Sequence, residues 1–195
     1  MRYKVVRERR KSIRGFVKDG EIIIKAPLFV PSSVIESFFQ KHKDYFARKL
    51  QRDYVYYLGI RHKIVKQEKG YILKGDAFYS DENIEQNIES FLIQKAREYL
   101  LPRTQKMVEN FGEKVNLIKI SKAKTRWGSC SSKRNINLSY RLMMLPPRVI
   151  DYIIIHEICH LRHMHHGKEF WKLVASRCPL YKEREKELKD FCLYL

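Results

Sequence analysis

The spacing of apolar residues changes several times along the 195-residue chain, and each change marks an element. Tyr3 to Arg9 and Ser12 to Val17 are rich in strand formers, and Lys18-Asp19-Gly20 is a turn signal. Glu21 to Lys25 then carries the run Ile22-Ile23-Ile24, so three strands are expected. Helical spacing takes over at Ile35, Phe38, Phe39, His42 and Phe46, and Ser33 with Glu36 has the form of a capping box. His42 falls on that apolar stripe and reads as a core or boundary histidine. Tyr54 to Tyr79 is a second β segment, with turns at Leu58-Gly59 and Lys69-Gly70. His62 lies there in a basic, exposed-looking stretch with no evident partner.

A long helix is expected from Ser80 or Asp81, burying Ile84, Ile88, Phe91, Leu92, Ala96 and Tyr99. Pro102 should kink or break it, and Gly112 should end it. Strands follow at Val115 to Ile120 and Asn135 to Leu145. The second of these alternates Ile136, Leu138, Tyr140 and Leu142 on one face. Between them Arg126-Trp127-Gly128-Ser129-Cys130-Ser131-Ser132 reads as a compact turn. Pro146-Pro147 open the next helix, and a charged last helix runs from about Tyr181 to Leu193. The expected organisation is α+β: a basic, β-rich N-terminal region with one helix at 1–79, and a catalytic domain at 80–195.

Composition narrows the class. A 44% hydrophobic and 12% aromatic content belongs to a chain with a core, not a disordered one. No apolar run reaches the roughly 18 to 20 residues of a membrane span, and Met1 to Arg10 lacks the apolar stretch of a signal peptide, so no membrane partner and a cytoplasmic location are expected. Cys130, Cys159, Cys178 and Cys192 match no Cys-x-x-Cys pattern and read as free thiols, with Cys159 pointing into the core. Forty Lys and Arg against 22 Asp and Glu give a net charge of +18. The first 75 residues hold 19 basic and 7 acidic side chains. Such a balance suits polyanions, so nucleic acid is a possible partner, although the charges form no long tail.

The chemistry concentrates at His156-Glu157-Ile158-Cys159-His160. On a helix, residues i and i+4 share a face, so two imidazoles can hold one Zn²⁺. Glu157, next to the first, can act as general base on a zinc-activated water. The flanking Ile153, Ile154, Ile158 and Leu161 would make buried histidines costly unless something satisfied them. A catalytic zinc needs a third ligand. His166, six residues after His160, has the spacing of an extended His-Glu-x-x-His-x-x-Gly-x-x-His signature. Here, though, residue 163 is His where that signature has Gly, and no methionine follows Met164 for a later Met-turn. Gly167 could make the turn instead. His163, His165, Glu183 and Glu187 are the rival third ligands.

Taken together, Arg126-Trp127-Gly128-Ser129-Cys130-Ser131, Ile136-Asn137-Leu138, Pro147, Ile150-Asp151-Tyr152, His156-Glu157-x-x-His160-Leu161 and His166-x-x-x-Phe170-Trp171 resemble the YgjP-like metal-dependent hydrolases, relatives of the SprT-like metallopeptidases. The resemblance is specific over about Leu117 to Val174. It implies a zincin-like core, in which a small sheet lies over the active-site helix, with His166 as third ligand. It also implies a packed turn at Trp127 to Cys130 and core anchors at Phe170-Trp171. Ser139-Tyr140 stands where an Asn-Trp pair is expected. The SprT-like relatives imply proteolysis of nucleic-acid-bound proteins, a role with which the charge is compatible.

The function expected is therefore that of a zinc metallopeptidase acting on protein or peptide substrates. An extended substrate could pair with the strand at Val115 to Ile120. The alternatives are zinc-dependent hydrolysis of a nucleotide or other phosphate, for which a Walker-type loop is missing, and a non-enzymatic nucleic-acid-binding module with structural zinc, in which Glu157 would have no purpose.

Overall fold

The computed structural model describes residues 2–18, 21–50 and 53–192. Asp19 and Gly20 of the expected first turn, and the Cys192 side chain, fall outside the described parts. Two compact units divide the chain between Asp53 and Tyr54.

The first unit is a three-stranded sheet with two helices. Strand β3 (Glu21–Pro27) is central, parallel to β1 (Tyr3–Glu8) and antiparallel to β2 (Arg14–Lys18). Alternation turns Ile22, Ile24 and Ala26 inward, against Ile35 and Phe39 of α1 (Ser32–Lys41) and Phe46 of α2 (Lys43–Leu50). Phe46 lies so close to β2 that a Cβ on Gly15 would sit 2.3 Å from its ring, so that position has room for glycine alone. The expected single helix is two, divided at His42, whose half-buried ring lies 4.6 Å from Phe38. The Ser33/Glu36 capping box does not form. The helix starts after Pro31 with no side-chain cap, and Glu36 instead accepts hydrogen bonds from the Tyr3 hydroxyl and from Gln40.

The second unit has two sheets around one core. In the first sheet the order is β4 (Tyr54–Tyr57), β5 (Ile60–Lys66), β7 (Ala77–Ser80), β6 (Tyr71–Lys74). Val55 and Phe78 from this sheet join the same apolar cluster as Phe91, Leu138 and Ile154. Strands 54–80 thus group with the C-terminal residues, where the sequence suggested a boundary near Ser80. His62 is also not exposed: it is 6% accessible, and neither ring nitrogen has a hydrogen-bond partner among the described residues.

Helix α3 (Ile84–Asn110) starts later than expected. The Asp81 carboxylate accepts from the backbone N–H of Gly70 and Asn83 and from the Asn87 amide, which holds residues 81–83 out of the helix. The helix runs through Pro102 without ending there. Pro102 is on the exposed side, and the carbonyl it leaves unbonded belongs to exposed Glu98, where water can satisfy it.

The second sheet carries the site. Strand β10 (Asn135–Ser139) is central, parallel to β8 (Leu117–Ser121) and antiparallel to β9 (Gly128–Cys130). The expected turn at 126–132 therefore contains a strand. The strand expected over Asn135 to Leu145 stops at Ser139, whose hydroxyl accepts from the Arg141 N–H and starts a 3-10 turn over Tyr140–Met144. Leu142, Met143, Met144 and Leu145 are all buried, a run that no half-exposed strand could hide. Helices α4 (Pro147–Cys159), α5 (Lys168–Arg177) and α6 (Tyr181–Cys192) complete the unit. Arg103 of α3 pairs with Asp151 of α4, and Arg148 of α4 with Glu187 of α6. No described helix is long and apolar enough to cross a membrane.

Candidate metal centre

Helix α4 is apolar on almost every side: Val149, Ile150, Tyr152 to Ile155, Ile158 and Cys159 are buried. Its final turn brings His156 and Glu157 to one end, and His160 is the C-cap. Beyond it, Leu161, Arg162 and His163 turn back on backbone bonds to Ile158 and Cys159, and α5 then begins at Lys168. Gly167 has a φ of −76°, an ordinary extended N-cap, so the return does not depend on glycine's extra freedom.

This return places His166 over the end of α4. One ring nitrogen each from His156, His160 and His166 lies within 4.8 Å of the others, and the Nε2 atoms of His156 and His166 are 3.0 Å apart. Nitrogens about 2.0–2.1 Å from a shared ion would be separated by distances of this order. His160 Nδ1 is 3.0 Å from the His163 carbonyl oxygen. A proton on Nδ1 donated to that oxygen leaves the Nε2 lone pair free for a cation. Burial, with the neighbouring histidines adding to it, pushes His156 down to about 4, and burial also lowers His160. Both rings are neutral donors at pH 7. The set of three imidazoles fits a borderline-soft divalent ion such as zinc.

Among the described residues, His163, His165, Glu183 and Glu187 join no cluster of ligand atoms with these three. The His163 carbonyl instead meets His160. Glu187 is engaged by Arg148 and Arg184, and Glu183 is exposed. Phe170, fully buried, stacks on His160 at 4.5 Å, and Trp171 stacks on His166 at 5.8 Å. The two aromatic residues hold the imidazoles from the α5 side.

Glu157 faces the sheet. It is 6% accessible, and its Oε1 lies 2.6 Å from where a Cβ on Gly128 would be. Strand β9 therefore passes against the carboxylate, and only glycine leaves room. Burial raises the Glu157 carboxyl to about 7, with Arg126 pulling it back down. The strand beside this carboxylate is β9, whereas β8 lies at the opposite edge of the sheet with β10 between them. Ser139 N–H donates to Trp127 O, and Ser131 N–H to Asn135 O. By antiparallel alternation, the backbone N–H and C=O of Gly128 and Cys130 then point outward to the free edge.

One feature of the site, the ion-pair hub at Glu113, lies beyond sequence reasoning, whereas the buried Cys159 and the free thiols agree with it. Glu113, with its side chain 5% accessible, pairs with Arg162 at 2.5 Å and Arg177 at 2.7 Å, and more loosely with Arg134 at 3.7 Å. It ties the end of α3 to the loop after α4 and to α5. Cys159, fully buried, lies 3.9 Å from Arg177, and Cys130, Cys159 and Cys178 are free thiols. Burial, then the Glu157 charge, pushes the Cys130 thiol up to about 11.

A family model described as the YgjP-like metallopeptidase domain matches residues 52–191. The chain belongs to the YgjP-like family. The matched span starts two residues before the second compact unit and contains every residue of the histidine cluster. As a YgjP-like metallopeptidase, the chain is a metal-dependent hydrolase of peptide bonds. No curated protein matches it. Among solved structures, the metallopeptidase zymogen of Pyrococcus abyssi abylysin is similar at 24% identity and a TM-score of 0.40, over 44% of this chain and 87% of that one. Membership rests on the sequence match and not on this partial overlap.

Proposed function

We propose that this YgjP-like chain is a zinc peptidase of zincin-like architecture in which His156, His160 and His166 hold the metal and Glu157 is the general base. The observation that carries this reading is the placement of a buried carboxylate beside three converging imidazoles. Zinc bound there would supply a Lewis acid and make water a stronger acid near neutral pH.

The chain's own groups account for the rest. The outward N–H and C=O groups of Gly128 and Cys130 receive an extended peptide as an added strand, so β9 takes the role the sequence suggested for Val115 to Ile120. Glu157, buried against β9 and next in sequence to His156, is the carboxylate placed to take a proton from the attacking water. The same carboxyl then delivers that proton to the leaving amine. Phe170 and Trp171 keep the imidazole rings from turning away. Glu157→Gln keeps the shape and removes the base. The zinc-loaded variant should lose about 10²–10⁴-fold in kcat on a quenched-fluorescence peptide and retain its metal. Full activity in that variant, at unchanged zinc content, would remove Glu157 from the reaction.

A further inference from the structure

Beside the metal centre, on the other face of the same short sheet, lies a second feature with its own chemistry. Ile136 and Leu138 of β10 face the core, so Asn137 and Ser139 face the opposite way, as does Ser129 of β9. With Ser121, Arg126 and Gly128 they line an open cavity of about 220 Å³. Every side chain that lines it with a hydrogen-bonding group is a hydroxyl, an amide or a guanidinium. No carboxylate is among them.

The wall that carries Arg126 is fixed in place. Ser139 Oγ donates to the Ala123 carbonyl at 2.8 Å, and the Ala123 N–H donates to Ser121 Oγ at 3.0 Å. Arg141 donates to the Lys124 carbonyl at 2.8 Å and lies over the Trp127 ring at 5.4 Å. Lys122 is paired with Glu89 at 2.7 Å. Arg126 is different: it is exposed and makes no hydrogen bond or ion pair among the described residues. This anchored loop therefore presents to a polar cavity a guanidinium that makes no ion pair among the described residues, although its charge is felt by Glu157. Gly128 is the shared wall, with the cavity on one side and the Glu157 carboxylate on the other.

We infer that this cavity is a side-chain subsite for an acidic residue of the substrate, with the Asp or Glu carboxylate paired to Arg126 and seated among the hydroxyl and amide donors of Ser129 and Asn137. The inference rests on the peptidase reading, with the substrate along the free edge of β9. In an extended strand successive side chains point to opposite faces. A residue next to the scissile bond can therefore reach over β9 into the cavity while the bond itself stays at Glu157. A guanidinium and a carboxylate form charge-assisted, fork-shaped hydrogen bonds that an amide cannot match.

The test uses the full-length zinc-loaded chain and N-acetylated, C-amidated peptides in which Glu or Gln is scanned through the positions flanking the cleaved bond, so that the side chain is the sole added anion. At one position wild type should favour Glu over Gln by about tenfold or more in kcat/KM, as a charged hydrogen bond allows. Arg126→Ala should bring that ratio to within about twofold, and Arg126→Glu should turn it toward Lys. The Glu157→Gln chain, which should bind with little turnover, should show the same Glu preference in fluorescence anisotropy, and that preference should vanish on adding Arg126→Ala. Cleavage with no acidic preference overturns the subsite and leaves the peptidase reading intact. So does an Arg126→Ala loss equal for Glu and Gln peptides, which would make Arg126 a general carbonyl-polarising group. A preference that appears only with a free C-terminus overturns the side-chain subsite in favour of a terminal carboxylate. Failure to cleave or bind any peptide takes both proposals down together.

Discussion

At the residue scale, Glu157 links stability to the proposed reaction. Its carboxyl is raised to about 7 by burial, against an ordinary value of 4.5 in the unfolded chain. Below 4.5 both states carry the proton and the group costs nothing. As pH rises, the unfolded chain ionises first, and stability is lost progressively until the folded carboxyl also ionises above about 7. For metal-free protein, wild type should therefore lose about 3 kcal/mol relative to Glu157→Gln between pH 4.5 and 8.5, as a shift of this size implies. Urea unfolding of both chains across that range measures it, and a pH-independent difference between them would contradict the buried-carboxylate description. The His-Glu-x-x-His spacing was legible in the sequence because i and i+4 share a face on any helix. The contact between Glu157 and Gly128 was not: the motif holding Gly128 stood out, but nothing local states which carboxylate a strand will pass.

At the element scale, the return of the chain from α4 to α5 determines whether His166 meets its partners, and Glu113 holds that return in place. It is nearly buried, and so is Arg177, which lies on α5. Glu113→Ala leaves the Arg177 guanidinium buried without its partner, and removing one member of such a pair costs about 3–5 kcal/mol. Denaturant unfolding should show that loss. Zinc affinity should fall with it, because Arg162 is released as well. A Glu113→Ala chain as stable as wild type would mean that the three arginines do not depend on this carboxylate. No sequence pattern marks Glu113, since its partners lie far along the chain. Helix α5 is not marked in the sequence either, because His166-x-x-x-Phe170-Trp171 shows its rings more plainly than a helical spacing. The strand expected over Asn135 to Leu145 was too long because alternation at Tyr140 and Leu142 concealed an unbroken buried run. By contrast, α4 was plain, with prolines opening it and a periodic apolar body.

At the scale of the whole molecule, strands 54–80 share a core with α3 and β10, so the unit that matches the family begins at Tyr54 and not near Ser80. Hairpins at the start of a unit give no sequence signal of which core they will join. That choice is made by residues such as Val55 and Phe78, whose partners are residues of α3 and beyond. The basic excess was legible in full but does not identify a partner, since long-range charge steers association without defining a site. Everything proposed for this molecule depends on the three imidazoles holding a metal. The most direct measurement is elemental mass analysis of wild type and His166→Ala, each purified without added metal or chelator. The account predicts about one zinc per chain in wild type and its loss in the variant, with the fold kept by circular dichroism. Wild-type protein that holds no zinc even after zinc is supplied, or a variant that holds as much as wild type, would contradict it.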